Sequence, residues 1–319
     1  MTKPVVSIGI MMLMEQGKLA ITDPVQKYLP EFRGMWVIAQ KKGEDDGAER
    51  LTLKRPSRPI SIRDLLTHTS GMPLNPAPGI AELHGVLHKT RNETVLVMSQ
   101  QPLGFEPGSR WQYSKTGMAT LGRIIEVRSG MAFEKFLETQ IFKPLGMDDT
   151  YIYPPKEKFD RMPTAYILRE GKPVKYTDDP LGEGAMKFCA GAKYPLPEGG
   201  LYSPASDLFG LYQMMLNSGE YDGERILSAA SVDLMTQVHT GDLATSRAGI
   251  GWGLGWSVVR DPGALGLPSV GTYGHGGRYG TFCFIDPKKS IIGVFLIHRE
   301  GGSDERNAFV QLALTAVRD

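Results

Sequence analysis

Residues 1–18, MTKPVVSIGIMMLMEQGK, form the stretch around which the rest of the chain is organised. Its spacing predicts a helix that is apolar on nearly every face and that ends at Gly17. A helix without a polar face is buried on all sides, so the sequence predicts a central helix. This helix would begin within its first turn, with neither a capping residue nor a preceding strand. Either residues that would precede this helix are lacking from the chain, or the helix performs its role without them.

The composition is that of an ordinary globular protein. Of the 319 residues, 41% are hydrophobic and 22% are charged, and the formal net charge is +1. This charge argues against nucleic acid or a membrane surface as a partner. The apolar run 8–13 is too short to span a bilayer, and residues 1–18 lack the features of a signal peptide. We expect a cytoplasmic chain, with an upstream signal left open.

Several kinds of site are disfavoured by the sequence. Cys189 and Cys283 are expected to be buried free thiols rather than a disulfide. The pair His84 and His88 has helical spacing but no Glu or Cys one helical turn away to complete a metal site, so we predict no metal and no cofactor. The glycines of 249–256 miss the dinucleotide-binding spacing. There is also no phosphate-binding loop and no Gly-x-Ser-x-Gly nucleophile elbow.

The order of predicted elements favours an α+β fold with an antiparallel sheet. A capped, apolar helical turn with a Gly-Met-Pro stop is predicted within 61–73, and helices are predicted at 79–100, 116–141 with a break at Ser129-Gly130, 203–219, 225–239 and 306–317. Strands are predicted at 252–259, 280–286 and 291–298, the last two as a hairpin. An exposed loop or hairpin is expected at 41–59, and long loops with short strands are expected at 150–200. We interpret the chain as one unit: a sheet lobe of about 1–32 and 200–319, and a helical and loop-rich insertion lobe of about 60–199.

Two segments stand out as candidates for chemistry. One is WQYSKTG at 111–117, directly before the strongest predicted helix, and the other is YGHGGRYG at 273–280, next to a predicted strand. Glycines at such a strand let a ligand or another backbone come close. Taken alone, Tyr113 could be a packed core residue, and His275 could be a core or surface histidine. A function can be assigned to these two segments only when they are considered together with residues 1–18.

The three segments together resemble a known motif order. Met1-Thr2-Lys3-Pro4 resembles the end of a Ser-x-x-Lys motif whose serine would directly precede Met1. Tyr113-Ser114-Lys115 resembles a Tyr-x-Asn motif, and His275-Gly276-Gly277 resembles a Lys-Thr-Gly motif in its His-Gly-Gly form. The chain therefore resembles the serine β-lactamase and penicillin-binding-protein-like superfamily. It is most similar to the class C-like branch, which includes the family VIII carboxylesterases.

The resemblance extends over nearly the whole chain. The further stretches that carry it are GKLAITDPVQKYLPEF, ISIRDLLTHTSGMP, YSKTGMATLGRIIEVRSG, FKPLGMDDTYI, PEGGLYSPASDL and YGHGGRYGTFCFIDP. It implies a β-lactamase-like fold, with an antiparallel sheet flanked by helices and a helical lobe. It also implies that N-terminal strands of that fold are missing from this chain.

The resemblance implies a role for each motif. A serine hydroxyl needs a nearby base, and side chains at i and i+3 share a helix face, so the lysine amine can reach the hydroxyl. Lys3 and Tyr113 would share the general-base and general-acid work. The backbone N–H of Arg278, after the small residues Gly276 and Gly277, would donate to the oxyanion; such a donor is worth ~3 kcal/mol. His275 would face the carbonyl or carboxylate side of the substrate.

The sequence departs from the family pattern in three places. Lys115 replaces the usual Asn, which puts the contact to a β-lactam amide in doubt but suits simple esters. His275 replaces the lysine of class C β-lactamases, so we expect weak or absent penicillinase activity. The nucleophile is not in the chain: no serine has a lysine three residues later, and Ser7 has Ile10 there.

The expected function is a carboxylesterase acting on short acyl esters. Because the nucleophile is lacking, we expect the 319-residue chain itself to be inactive or nearly so. One alternative is a D-Ala-D-Ala peptidase, an aminopeptidase or a weak β-lactamase on the same scaffold. Another is a non-catalytic protein that binds a small acyl compound, a peptide or a partner chain. The expected partner is a small ester or amide substrate, and no oligomeric state is predicted.

Overall fold

A computed structural model describes residues 1–39, 52–75, 89–176, 193–300 and 303–316 of the chain. Its helices are α1 (Thr2–Glu15), α2 (Ile62–Leu66), α3 (Arg91–Ser99), α4 (Lys115–Ser129), α5 (Phe133–Leu137), α6 (Ala205–Leu216), α7 (Ala229–Thr236) and α8 (Ser303–Thr315). Its strands are β1 (Val37–Ala39), β2 (Thr52–Lys54), β3 (Tyr166–Arg169), β4 (Lys172–Lys175), β5 (Glu220–Tyr221), β6 (Glu224–Arg225), β7 (Ile250–Trp252), β8 (Ser257–Val259), β9 (Tyr273–Gly276), β10 (Phe282–Asp286), β11 (Ile291–Phe295) and β12 (Arg299–Glu300). The chain has the α+β fold with an antiparallel sheet that the sequence predicts.

Helix α1 lies at the centre of the core. Residues from Thr2 through Met11 are buried, as is Leu13, so the prediction of a helix enclosed on all sides is confirmed. The helix packs against α4 and α5. Gly9 allows this close approach, because a Cβ there would lie 3.0 Å from the Phe136 ring. The residue composition of α1 thus places its first turn deep inside the molecule.

The main sheet has five antiparallel strands in the order β11-β10-β9-β8-β7. The turn that follows Asp286 joins β10 to β11, and Asp286 pairs with Ile291, so the predicted hairpin is confirmed. Helices α6 and α8 pack against β11. The sheet carries His275 in β9, directly opposite Cys283 of β10. His275 therefore has a fixed position in the middle of the sheet.

The prediction of one continuous strand over 252–259 is wrong. The chain turns between β7 and β8, which pair with each other as an antiparallel hairpin. Glycine makes this turn possible, because Gly255 has φ +84° and a Cβ at Gly253 would lie 2.3 Å from the Met235 carbonyl oxygen. The backbone N–H of Gly255 donates to the Leu66 carbonyl at 3.0 Å, which ties the turn to the end of α2.

Two details of the middle of the chain follow the prediction. The predicted break in the helix 116–141 lies at Gly130, which has φ +72° and separates α4 from α5. Strands β3 and β4 form a short hairpin within 150–200, and β12 pairs in parallel with β3. No helix in the described part of the chain is long and apolar enough to cross a membrane.

Three residues of the sequence analysis, His84, His88 and Cys189, lie outside the described residues. The other cysteine, Cys283, is a buried free thiol.

Candidate active site

A cleft of about 1670 Å³ opens between α1, the segment before α4 and the end of β9. The structure brings all the predicted site residues to it. Lining the cleft are Lys3, Tyr113, Lys115, His275, Gly276, Gly277 and Arg278. These residues come from three distant parts of the sequence, so the fold itself assembles the site.

Lys3 lies in the first turn of α1 and is almost completely buried. Its Nζ donates a hydrogen bond to the Glu198 carbonyl at 2.6 Å and lies 4.8 Å from the centroid of the Tyr113 ring. Burial lowers the pKa of Lys3 to about 8; the Glu198 carboxylate opposes this shift and the positive charge of Lys115 adds to it. A lysine with this pKa exchanges protons near neutral pH, as a general base requires.

Tyr113 and His275 form a hydrogen-bonded pair. The Tyr113 hydroxyl lies 3.3 Å from His275 Nε2, and His275 Nδ1 lies 2.6 Å from the Gly276 carbonyl oxygen. A carbonyl only accepts, so Nδ1 carries the proton and Nε2 accepts from the phenol. Burial raises the pKa of Tyr113 and holds the pKa of His275 well below its usual range. Near neutral pH the phenol is therefore protonated and the imidazole is neutral.

The backbone of Met1 lies in the same cleft. Its nitrogen donates to the Gly276 carbonyl at 3.4 Å. A Cβ at Gly277 would lie 2.0 Å from Thr281 Oγ1 and 3.8 Å from the Met1 nitrogen, so the glycine keeps this approach open. The start of α1 and the end of β9 therefore meet at one point, beside Lys3.

The two other predicted contact residues lie at the edge of the cleft. The Arg278 guanidinium contacts the Tyr176 hydroxyl at 3.2 Å and the Glu300 carboxylate at 3.5 Å. Lys115 begins α4, and its backbone N–H donates to the Leu74 carbonyl at 3.0 Å. The Arg278 side chain thus links the turn after β9 to β12 and to Tyr176, directly after β4.

The hydroxyls of the nearby serines are occupied by structural hydrogen bonds. Ser7 donates to the Lys3 carbonyl at 3.1 Å and is fully buried. Ser114 donates to the Pro73 carbonyl at 3.0 Å and caps α4, and Ser257 donates to the Gly274 carbonyl at 2.7 Å. Ser7 and Ser114 are buried, and each of the three hydroxyls is held by a backbone carbonyl.

Three further residues of the site were not identified from the sequence. They are Glu198, whose carbonyl accepts from Lys3, and His68 and Trp252, whose rings pack within 6.0 Å of Tyr113. The pair Gly199-Gly200 after Glu198 is a turn signal that could have drawn attention to it. His68 lies within the predicted segment 61–73 and carries no such signal.

Among the described residues, no group of three His, Cys, Asp or Glu side chains could hold a metal ion. The chemistry available is that of a buried amine of lowered pKa, a protonated phenol and a neutral imidazole. Such a set can take a proton from a nucleophile and give one to a leaving group.

Comparisons with a family model, with known sequences and with solved structures agree with one another. The family model described as Beta-lactamase matches residues 1–316. Protein Rv1367c of Mycobacterium tuberculosis is 32% identical over 93% of this chain and 75% of its own length. Esterase EstB of Burkholderia gladioli is 30% identical over 89% of this chain and 72% of its own. The structure of EstCE1, a hydrolase with promiscuous acyltransferase activity, has a TM-score of 0.77 and 27% identity, covering 98% of this chain and 82% of that one.

Proposed function

The chain belongs to the beta-lactamase family, and from that premise we propose that it is a serine carboxylesterase that cleaves short acyl esters through an acyl-enzyme. The observation that supports this most is the meeting of Lys3, Tyr113 and His275 around the buried nitrogen of Met1. A residue joined to that nitrogen enters the cleft between β9 and Lys3. It stands three residues before Lys3, on the same face of a helix. We propose that this residue is the nucleophilic serine.

The neutral Lys3 amine takes the hydroxyl proton as the serine oxygen attacks the ester carbonyl. The negative charge that develops on the carbonyl oxygen lies against the backbone after Gly277. Tyr113 then donates its proton to the departing alkoxide, and the C–O bond breaks to leave the acyl-enzyme. The Lys3 ammonium passes its proton to the Tyr113 phenolate, so both residues return to their starting states. Water then attacks the acyl group while the neutral Lys3 amine takes its proton, and the resulting ammonium gives that proton to the departing serine oxygen, which releases the acid and restores the serine.

The neutral side chain at position 275 favours esters over β-lactams. His275 stands where the class C-like pattern has a lysine, and burial holds its pKa well below the usual range. A neutral imidazole offers no charge to the carboxylate of a β-lactam. EstB, described as an esterase, supports the same choice.

The substrate class can be tested with a chain that carries an N-terminal extension ending in serine directly before Met1, here called the serine-extended chain. We expect p-nitrophenyl acetate to be hydrolysed at a kcat/KM above ~10⁴ M⁻¹s⁻¹, the lower end for enzymes on good substrates. A penicillin and a D-Ala-D-Ala peptide should compete poorly. The proposal fails if either is turned over faster than the ester.

The rate should depend on pH through Lys3. The neutral amine is the active base, and burial lowers the pKa of Lys3 to about 8. Below this pH the ammonium form dominates, so kcat/KM of the serine-extended chain should rise about tenfold per pH unit up to about 8 and then level off. The control is Tyr113→Phe, which should keep the same rising limb at a lower rate. A rate that falls as pH rises through 7 would refute Lys3 as the base.

A further inference from the structure

His68 occupies an unusual position behind the cleft. It is 1% exposed, and its backbone has φ +59°, a left-handed conformation that glycine or asparagine adopts more readily. Its Nε2 has no hydrogen-bond partner among the described residues. A turn alone does not require a buried imidazole at this point.

His68 contacts the Tyr113 ring and the backbone of both residues that adjoin Tyr113 in the sequence. Its carbonyl accepts the backbone N–H of Gln112 at 2.9 Å, and its Nδ1 accepts the backbone N–H of Ser114 at 3.3 Å. Between these two hydrogen bonds, the imidazole ring packs against the Tyr113 ring with centroids 4.4 Å apart. On another side the imidazole meets the Trp252 ring at 5.1 Å. Both residues adjoining Tyr113 are thus fixed to a single histidine.

The imidazole has the protonation state that this arrangement needs. Nδ1 accepts a hydrogen bond, so the single proton of the neutral ring is on Nε2. Burial, together with the positive charge of Lys3, lowers the pKa of His68 to about 3. The ring therefore stays neutral, and Nδ1 stays an acceptor, throughout the neutral pH range.

We propose that His68 is a positioning residue that holds the Tyr113 phenol beside Lys3 and His275. His68 does not line the cleft, so it acts through Tyr113 and not on the substrate. The catalytic consequence rests on the function proposed above, whereas the hydrogen bonds and ring contact can be tested without it. Asn is the conservative variant, because it tolerates a positive φ and its Oδ1 can replace Nδ1 as acceptor. Gly tolerates the φ but supplies neither acceptor nor ring.

Amide hydrogen exchange in the 319-residue chain tests the contact directly. In His68→Gly, the Ser114 amide should exchange at least about tenfold faster, while the Gln112 amide, bonded to the His68 backbone, should keep its protection. His68→Asn should keep both amides protected. Unchanged exchange of Ser114 in His68→Gly overturns the proposal, and so does equal loss of protection at both amides.

Kinetics of the serine-extended chain test the consequence. His68→Gly should lower kcat about 100-fold with KM nearly unchanged, the cost expected when a reacting group is misplaced by roughly 1 Å. His68→Asn should recover a substantial part of that loss. The control is Ser218→Gly, remote from the cleft and also at a positive φ of 58°, which should leave kcat unchanged. A kcat retained in His68→Gly overturns the positioning role. If the serine-extended chain has no esterase activity at all, the proposed function fails, and hydrogen exchange alone decides the role of His68.

Discussion

Replacement of Lys3 by methionine in the serine-extended chain is expected to lower kcat/KM for p-nitrophenyl acetate about 10³-fold or more. General-base catalysis contributes typically 10²–10⁴-fold, and Lys3 is the buried amine beside the proposed nucleophile. Lys3→Arg should be nearly as inactive, because a guanidinium does not lose its proton near neutral pH. The control is Lys27→Met, at an exposed lysine paired with Asp23, which should leave the rate unchanged. A Lys3→Met variant with more than a tenth of the parent activity would exclude Lys3 as the base.

Stability measurements on the same variant separate lost chemistry from lost folding. Burial lowers the pKa of Lys3 from 10.5 to about 8. The unfolded chain therefore holds this proton more tightly, and the charged lysine destabilises the folded state below pH 8 by about 3 kcal/mol, at about 1.4 kcal/mol per pKa unit. We expect Lys3→Met to unfold at a higher temperature than the parent at neutral pH. The gap should narrow as the pH rises from about 8 to about 10.5, because over this range only the unfolded parent binds the Lys3 proton, and rising pH makes that binding less favourable.

Replacement of Gly255 by alanine is expected to destabilise the fold by at least about 3 kcal/mol, from left-handed strain and overpacking together. Gly255 has φ +84°, and a Cβ there would lie 2.0 Å from Ser7 Oγ and 2.6 Å from Ser7 Cβ. The clash would push the β7–β8 turn away from α1. Thermal unfolding should show the loss as a drop of roughly 5 °C or more.

Two further variants make that prediction specific to the contact with α1. Gly223 has φ +81° with no atom within 4 Å of its Cβ position, so Gly223→Ala carries the backbone strain without the clash. It should cost only about 1–2 kcal/mol. Adding Ser7→Gly to Gly255→Ala removes the atoms in conflict and should restore at least about 1 kcal/mol. Equal losses in the two alanine variants, or no rescue by the double variant, would show that packing against Ser7 is unimportant.

The sequence was sufficient where local pattern decides the structure. The apolar composition of α1 predicts its burial on all sides, and two predicted strands joined by a turn after Asp286 predict the pairing of β10 with β11. The three motif segments place Lys3, Tyr113 and His275 in one cleft, because their order along the chain is that of the family. The roles assigned to these three side chains remain predictions.

The sequence was insufficient where distant backbone groups decide the structure. Lys3 hydrogen-bonds to Glu198, 195 residues away, through a carbonyl that any residue could supply. His68 reaches the Ser114 amide, 46 residues away, from a backbone conformation that sequence pattern does not predict for histidine. The turn at Gly255 depends on its fit against Ser7 and on a hydrogen bond to Leu66. Such contacts follow from tertiary packing, which overrides the local preference for a continuous strand.

Fluorophosphonate labelling followed by intact-mass analysis tests the proposed position of the nucleophile most directly. Three proteins are compared: the 319-residue chain, the serine-extended chain, and the same extension with alanine in place of the serine. We predict one probe on the serine-extended chain, lost when Lys3 is replaced by methionine, and none on the other two proteins. Labelling of the 319-residue chain or of the alanine version would contradict the account, because another residue would then be the nucleophile. A serine-extended chain that takes no probe would contradict it equally.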